Sequence, residues 1–440
     1  MFTKLWVKNF KAHAKTEIET RRITLFIGPN NSGKSSLGQA ILMLRQAATQ
    51  GRNTLCGHVQ RKPTSPEDPY LYSEDQLIDL GDFEHVVRKG EQDLQIGIEG
   101  TLGPPQILRP YGPIALATEV TVRSNSLASY NGRVKPVTPY REAIQFDWQW
   151  ASGVGSPAFG VPIPGARLLF QLTGNFTHIM PAGIQFNPNP PPPAESTAAQ
   201  SLQQQLALAP LSLVDSFHPI FPLRGLEERG SPLTESPARN LERMSVSDRT
   251  VALLSMLAYD LNLQERISDW LENLIERRIK VPLLPGKRVT LMSVPARSRG
   301  SDSLFMNEGT GANQLPFILV PIGITNPGET ILLTEPEAHL HPKMQSKLTS
   351  LLLSLSSREN RQFFIETHSE HVLHSVLYAV AKGELSTKDL AIYYFQKTDS
   401  TATCQPLEIN DRGQIPGGLP EFFEHSLFEL SELLEAQKRN

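Results

Sequence analysis

Apolar residues near the start of the chain predict strands followed by a helix. Residues 2–27 alternate approximately between apolar and polar side chains, and residues 23–27 are a short apolar run that stops at Gly28. A helix is expected from about Gly33 to Gly51, because apolar residues recur at helical spacing: Leu37, Ala40, Ile41 and Leu44.

The C-terminal third shows the same alternation of strand and helix signals. Residues 331–333 and 363–365 are short apolar runs typical of buried parallel strands. The tail from Glu421 carries apolar residues at helical spacing and predicts a terminal helix. The two ends of the chain therefore predict an α/β fold with parallel strands.

The middle of the chain predicts short strands, an irregular connector and a later helix. Strands are expected where apolar and polar residues alternate, at Leu94, Ile96, Ile98, Val120, Val122, Ile144, Phe146 and Trp148, and again at residues 168–170. Residues 187–193 read NPNPPPP and predict an extended, solvated connector. One helix is expected from about Asp248 to Arg277.

A phosphate-binding loop follows the apolar run at residues 23–27. Residues 28–35 read GPNNSGKS and match the P-loop pattern in full, after a strand and before a helix. Lys34 is expected to reach the β- and γ-phosphates of a nucleotide, and Ser35 is expected to hold Mg²⁺. The residues expected to contact the nucleotide are Gly28, Pro29, Asn30, Asn31, Ser32, Gly33, Lys34, Ser35 and Ser36.

Three later segments follow the P-loop in an order that narrows the class of nucleotide-binding protein. A Gly-rich turn before an apolar helix (307–315, NEGTGANQL) precedes a strand ending in acid (330–337, TILLTEPE) and a strand ending in histidine (363–369, FFIETHS). With KNF at 8–10, IGPN at 27–30 and EPEAHLHP at 335–342, the chain resembles the ABC-type AAA family ATPases of the RecF, SMC and OLD-like class.

This resemblance implies an α/β fold with an ABC-type P-loop ATPase head. Such a head has a mixed or parallel sheet flanked by helices, here with a β-rich and helical insertion between the P-loop and the signature turn. We expect residues 1–100 to form the N-terminal part of the head and residues 101–290 the insertion or lid region. Residues 291–440 are expected to complete the head and end in the terminal helix.

The resemblance also implies roles for particular side chains. Gly309, Gly311 and Asn313 resemble the signature motif, whose helix N-terminus faces the γ-phosphate held by a second protomer. Glu335 resembles the base that orients the attacking water. His368 resembles the switch histidine that hydrogen-bonds the γ-phosphate.

Thr334 departs from the class pattern, which usually has an acid at this position to hold Mg²⁺ through water. A threonine hydroxyl can hydrogen-bond a metal-bound water but brings no charge. Slow turnover with retained ATP binding is therefore one expected outcome. In the alternative, Glu335 supports the metal and another group, such as Glu337, orients the water.

Other polar positions carry weaker signals. Gln76 stands near the Q-loop position that senses Mg²⁺ in the class, and His339 and His341 are placed by the resemblance in a dimer-contact loop rather than at a metal. A strip of basic residues could meet a nucleic acid, although a solvated charged face is the favoured interpretation: Arg277, Arg278, Lys280, Lys287 and Arg288.

Composition narrows the classes of function. The chain has 440 residues and a net charge of −3, so no chain-wide basic field favours non-specific nucleic-acid binding. Two cysteines cannot build a disulfide framework or a zinc quartet, which fits a reducing cytoplasm. No apolar run is long enough to span a membrane. No Asp-x-Asp pair occurs after His368, so we expect no nuclease in this chain.

Together these features predict an ATPase that converts ATP and water to ADP and phosphate, with Mg²⁺, as a homodimer or higher homo-oligomer. We expect ATP to close the dimer and control a protein effector, a nuclease or toxin encoded nearby, in anti-phage defence. The defence role rests on residues 80–84, 221–224, 413–416 and 420–423, which are similar to a bacterial subgroup with a C-terminal domain of unknown function. Two alternatives stay open: a DNA repair or recombination ATPase that binds DNA directly, and a slow-turnover ATP-binding scaffold.

Overall fold

The structure is a computed structural model, and it describes most of the chain outside the middle region and the C-terminal tail. The described residues are 1–50, 80, 83–103, 113–123, 126–137, 146–151, 158–163, 166–172, 179–186, 212–221, 225–226, 230–235, 237, 241, 246–297 and 300–418. The predictions for Gln76, Ile144, the connector at 187–193 and the helix after Glu421 lie outside them.

The described elements alternate between strands and helices at both ends of the chain. The strands are β1 (Phe2–Phe10), β2 (His13–Glu19), β3 (Ile23–Ile27), β4 (Asp93–Leu102), β5 (Ile114–Arg123), β6 (Ser126–Pro136), β7 (Phe146–Ala151), β8 (Ala158–Ile163), β9 (Ala166–Leu172), β10 (Ile179–Phe186), β11 (Phe217–Ile220), β12 (Ser231–Pro232), β13 (Arg277–Lys280), β14 (Leu283–Leu284), β15 (Arg288–Val289), β16 (Met292–Pro295), β17 (Ser303–Leu304), β18 (Thr330–Thr334), β19 (Gln362–Thr367), β20 (Leu390–Thr398) and β21 (Thr401–Pro406). The helices are α1 (Lys34–Gln50), α2 (Phe83–Val86), α3 (Val246–Tyr259), α4 (Leu261–Ile275), α5 (Thr310–Asn313), α6 (Leu315–Ile324), α7 (Pro342–Glu359) and α8 (Glu370–Ala381).

A mostly parallel sheet forms the centre of the head. Its order is β11-β18-β19-β3-β20-β21, and only the last pairing, between β20 and β21, is antiparallel. All five residues of β3 are buried, as expected for a strand covered on both faces. The carboxyl ends of β3, β18 and β19 therefore meet at one edge, which is where open α/β sheets bind ligands.

A second sheet packs on the other side of the P-loop helix. It is antiparallel, with the order β2-β1-β4-β5-β6-β7. One hydrophobic cluster joins apolar residues of α1 to residues of β1, β4 and β5 and to the facing residues of the central sheet, Phe26, Leu332 and Phe364. The helix that follows the P-loop is thus held between two sheets, which fixes its first turn against the edge of the central one.

The strands predicted within the described residues and the first helix are confirmed, and one helix prediction is wrong. The segment expected to be one helix from Asp248 to Arg277 is two helices, α3 and α4, because the backbone is extended at Asp260. The Asp260 carboxylate accepts a hydrogen bond from the Leu263 amide at 2.9 Å and so caps the second helix.

The division at residues 100 and 290 stays a prediction. Strand β4 runs across the first boundary, and β11 pairs in parallel with β18 in the central sheet. Helices α3 and α4 share one core cluster with β3, β18 and β19. Part of the interval assigned to an insertion therefore packs into the head. No helix in the described part of the chain combines the length and the apolar character needed to cross a membrane.

Candidate nucleotide-binding site

The P-loop is held in shape by backbone conformations that glycine adopts most easily. Gly28 and Gly33 have φ angles of 139° and 100°. A Cβ at Gly28 would lie 2.2 Å from the Phe395 carbonyl oxygen, so no larger residue fits between this loop and β20. The Lys34 ammonium donates to the carbonyl oxygens of Gly28 and Pro29, each at 2.8 Å. The Lys34 side chain therefore folds back over the start of the P-loop.

His13 supports the P-loop from β2 and was not identified from the sequence. Its ring is buried, with Nε2 3.0 Å from the Gly33 carbonyl oxygen and Nδ1 2.8 Å from the Thr16 hydroxyl. Since a carbonyl only accepts, Nε2 carries the proton and Nδ1 accepts from Thr16. Burial lowers the pKa of His13, which keeps the ring neutral. The strand pattern predicts that position 13 lies in a strand, but it does not indicate that the side chain contacts the P-loop.

Three carboxylates lie close enough to Lys34 to act on its charge. Burial lowers the pKa of Lys34 to about 8, and the carboxylates oppose this shift: Glu366, Glu335 and Glu337. These acids come from the ends of β18 and β19 and the turn after β18. The fold thus brings the P-loop together with the two later segments predicted to act with it.

Glu366 is the most deeply buried of these acids, and sequence reasoning missed it. It is 1% exposed, and its Oε2 accepts a hydrogen bond from the Ser35 hydroxyl at 2.5 Å. Its Oε1 is buried and has no hydrogen-bond partner among the residues that the structure describes. Burial raises the pKa of Glu366 to about 7, against the effects of Ser35 and Lys34. The signal that could have identified Glu366 from the sequence is an acidic residue within an otherwise apolar strand.

Thr334 lies beside Glu366 at the end of β18. The two residues are register partners in the parallel pairing of β18 with β19. Register partners on neighbouring strands project from the same face of a sheet, so the threonine stands next to a carboxylate supplied by the adjacent strand.

Glu335 and His368 also lie together. Glu335 Oε1 is 3.4 Å from His368 Nε2, and the Glu335 amide donates to the Glu366 carbonyl oxygen at 2.8 Å. Glu335 has a φ of 47°, a left-handed conformation that is costly for a residue with a side chain. Burial and then the Lys34 charge lower the pKa of His368.

Glu337 fastens the turn after β18 to the turn after β19. Its side chain is 8% exposed, and Oε1 accepts from the Thr367 hydroxyl at 2.6 Å and from the His368 amide at 3.0 Å. Burial raises the pKa of Glu337. One carboxylate oxygen is therefore used to hold the backbone that presents His368, which favours a positioning role over the orientation of water.

The signature turn packs against the loop after β18. A Cβ at Gly311 would lie 2.3 Å from the His339 carbonyl oxygen, and the Gln314 amide donates to the Ala338 carbonyl. Gly309 is exposed, and a Cβ there would meet no atom within 4 Å. The Asn313 side chain accepts from the Leu226 amide at 3.0 Å and donates to its carbonyl at 3.2 Å. A contact between Asn313 and a nucleotide requires release of that pair.

The two histidines after β18 have structural surroundings that do not resemble a metal site. His341 is the N-cap of α7, and its Nδ1 accepts from the Lys343 amide at 3.3 Å. His339 adopts a left-handed conformation with a φ of 60°. Across the described ranges, no group of three or more histidine, cysteine or acidic residues is arranged to hold a metal ion.

The basic strip is partly neutralised within the chain. Arg278 forms ion pairs with three acids of α4: Glu265, Asp269 and Glu272. Arg277 donates to the Ser293 hydroxyl at 2.7 Å and lies 3.4 Å from a Glu308 carboxylate oxygen. These contacts favour the interpretation of a solvated charged face.

Comparisons with known proteins agree with the motifs. Residues 1–100 and 263–373 match the family model described as the AAA ATPase domain. No curated protein matches the chain significantly. Among solved structures, the SMC head domain from Thermotoga maritima is similar at 12% identity and a TM-score of 0.42, covering 93% of this chain and 99% of that one.

Two other SMC heads are similar at the same level. A head bound to the C-winged helix domain of ScpA has 14% identity and a TM-score of 0.43, with coverage of 93% and 98%. A head with an extended coiled coil, bound to the C-terminal domain of ScpA derived from Pyrococcus furiosus, has 11% identity and a TM-score of 0.41, with coverage of 99% of both chains. The family match at residues 1–100 and 263–373 includes the P-loop and the ends of β18 and β19.

Proposed function

Residues 1–100 and 263–373 match the AAA ATPase domain, and we propose that the chain is an ABC-type ATPase that binds and hydrolyses ATP as a switch formed by two copies of itself. One observation carries this proposal. The P-loop lysine, the acids at the ends of β18 and β19 and His368 lie within electrostatic reach of one another at a single edge of the sheet. This is the arrangement that phosphoryl transfer to water needs.

The residues present fit a nucleotide with Mg²⁺. The start of α1 and the glycines of the loop offer backbone amides to phosphate oxygens, and Lys34 supplies a positive charge. Ser35 and the unpartnered Oε1 of Glu366 are hard oxygen donors of the kind that Mg²⁺ and its bound waters prefer. Magnesium, when bound with the nucleotide, neutralises charge on the phosphate oxygens.

Hydrolysis is assigned to Glu335 and His368. Glu335 accepts a hydrogen bond from the attacking water and orients it in line with the γ-phosphate. His368, whose lowered pKa keeps it neutral, can donate from a protonated ring nitrogen to a γ-phosphate oxygen. The strained backbone of Glu335 supports this role, because such conformations cluster where a side chain must be aimed.

The dimer is proposed from the exposed start of the signature turn. Gly309 and Thr310 are exposed at the start of α5, so we expect the first backbone amides of this helix to be available to the γ-phosphate held by a second copy. ATP then shifts the equilibrium toward the closed dimer by the contacts it makes only in that state. The closed state is proposed to act on a protein effector, a nuclease or toxin.

One alternative has a specific observation in its favour. Thr334 supplies no charge where the class usually has an acid, which supports an ATP-binding scaffold with slow turnover. Direct DNA binding gains no such support, since Arg278 is already paired with acids of its own chain.

Calorimetry and light scattering test the proposal. The parent should bind ATP with Mg²⁺ and shift toward a dimer, and Lys34→Ala should lose binding. Lys11→Ala is the matched control, because Lys11 bonds the Gln39 side chain on α1 at 2.6 Å and lies outside the P-loop. Its ATP affinity should equal that of the parent. No heat of ATP binding by the parent would refute the proposal.

Glu335→Gln separates the switch from the scaffold. The switch predicts that this variant retains bound ATP, accumulates as a dimer and turns over far more slowly than the parent. Equal turnover by the parent and by Glu335→Gln would show that Glu335 is not the base, and the scaffold would then explain any ATP-dependent dimer.

A further inference from the structure

We propose that Glu366 supplies the carboxylate that position 334 lacks, and that it supports the nucleotide-bound Mg²⁺ from the neighbouring strand. The inference rests on the proposed binding of ATP and deepens it by naming a further residue of that site. Its basis is the position of the acid, its contact with Ser35 and its unused oxygen.

The position follows from strand register. Thr334 on β18 and Glu366 on β19 are direct partners, so their side chains project from the same face of the sheet. Strand β19 lies between β18 and β3, the strand that leads into the P-loop. A carboxylate moved from position 334 to position 366 therefore stays on the same face and comes one strand closer to the P-loop.

The contact with Ser35 places the carboxylate at the expected metal ligand. Ser35 is the P-loop residue assigned to Mg²⁺, and its hydroxyl donates to Glu366 Oε2 at 2.5 Å. An acid that accepts a hydrogen bond from a metal ligand or a metal-bound water fixes the orientation of that ligand. Glu366 has this relation to Ser35, and Thr334 has no charge with which to supply it.

The unused oxygen indicates a partner beyond the described side chains. Glu366 Oε1 is buried without a hydrogen-bond partner in the described part of the chain, which is costly for an acid. Gly38, one turn after Ser35, packs nearby: a Cβ there would be in ordinary contact with Oε1 at 3.4 Å and would clash with Leu332 Cδ2 at 2.6 Å. A water molecule bound to Mg²⁺ would supply the hydrogen-bond donor that this oxygen lacks.

The test measures how much Mg²⁺ strengthens ATP binding, by titration calorimetry with Mg²⁺ and with EDTA. In Glu366→Gln, which keeps the shape and removes the charge, this gain in affinity should fall by about tenfold or more relative to the parent. In the double variant Thr334→Asp/Glu366→Gln, which returns an acid to the partner strand, the gain should recover at least in part. Glu329→Gln is the matched control, because Glu329 precedes the opposite end of β18 and pairs with His218 at 3.1 Å. Its magnesium gain should equal that of the parent.

An unchanged magnesium gain in Glu366→Gln, or no recovery in the double variant, would overturn the assignment while ATP binding by the parent upheld the proposed function. Loss of ATP binding by the parent itself would overturn both. If Glu366→Gln does not fold, Glu366→Asp tests the role of Glu366, because it keeps the charge and withdraws the carboxylate by one methylene. It should lose part of the magnesium gain, and the full parental gain in this variant would refute the role.

Discussion

Replacement of Gly311 by alanine tests the packing between the signature turn and the loop after β18. The new Cβ would lie 2.3 Å from the His339 carbonyl oxygen, whereas ordinary contact begins at 3.4 Å, so the two backbones must separate by about 1 Å. Overpacking of this kind costs about 1–3 kcal/mol, and the contacting atom belongs to the backbone and cannot rotate away. Alanine recovers up to about 1 kcal/mol of helix propensity, so at the upper end of that cost the net loss is about 2 kcal/mol.

Urea unfolding followed by tryptophan fluorescence measures this loss. Trp270 is buried in the same core cluster as Leu315 and Leu340, which flank the packed segments. Gly309→Ala is the matched control, since its Cβ meets no atom within 4 Å and only a helix-capping preference of about 0.5 kcal/mol is at stake. Equal stability losses in the two variants, or a more stable Gly311→Ala, would refute the argument that backbone contact fixes the turn.

Two further predictions concern stability alone. Asp260→Ala removes the cap of α4 and should lower the free energy of unfolding by about 1 kcal/mol, measured by urea unfolding; no change would mean that the cap does not separate the two helices. For Glu329, burial acts to raise the pKa, but the hydrogen bonds from His218 and Asn326 prevail and lower it to about 2. A carboxyl group whose pKa is lower in the folded state stabilises the fold at pH values above its unfolded pKa of about 4.5, and this stabilisation is lost as the pH falls toward 2. The parent should therefore be more stable than Glu329→Gln by at most about 3 kcal/mol above that pKa, and this difference should shrink between pH 4.5 and pH 2. A difference independent of pH in thermal melts would contradict the assignment.

The sequence predicts those parts of the site that depend on local chain order. The P-loop, the buried strands β3, β18 and β19 and the helix α1 all follow from apolar runs and glycine positions that are close together in the chain. These elements occur where their patterns predict them because each is specified by its own residues.

Features that depend on pairing between distant segments could not be predicted in this way. The position of Glu366 beside Thr334 follows from the register of β18 with β19, which the amino-acid pattern of either strand does not specify. The pairing of Asn313 with Leu226 and the contact of His13 with Gly33 likewise join segments far apart in sequence.

The break between α3 and α4 was missed for a local reason. Asp260 is a residue type that often caps helices, but the apolar periodicity continues across it and predicts a single helix.

The contact between the signature turn and the loop after β18 has a consequence for a two-protomer assembly. Each turn would touch the ATP bound mainly by the other copy, while Gly311 and Gln314 of the same turn press on the loop that carries Glu335 in their own copy. Two catalytic centres joined in this way are thermodynamically linked, since occupancy of one alters the backbone next to the other. Nucleotide saturation would then depart from a simple hyperbola, and damage to one copy in a mixed pair would alter both centres.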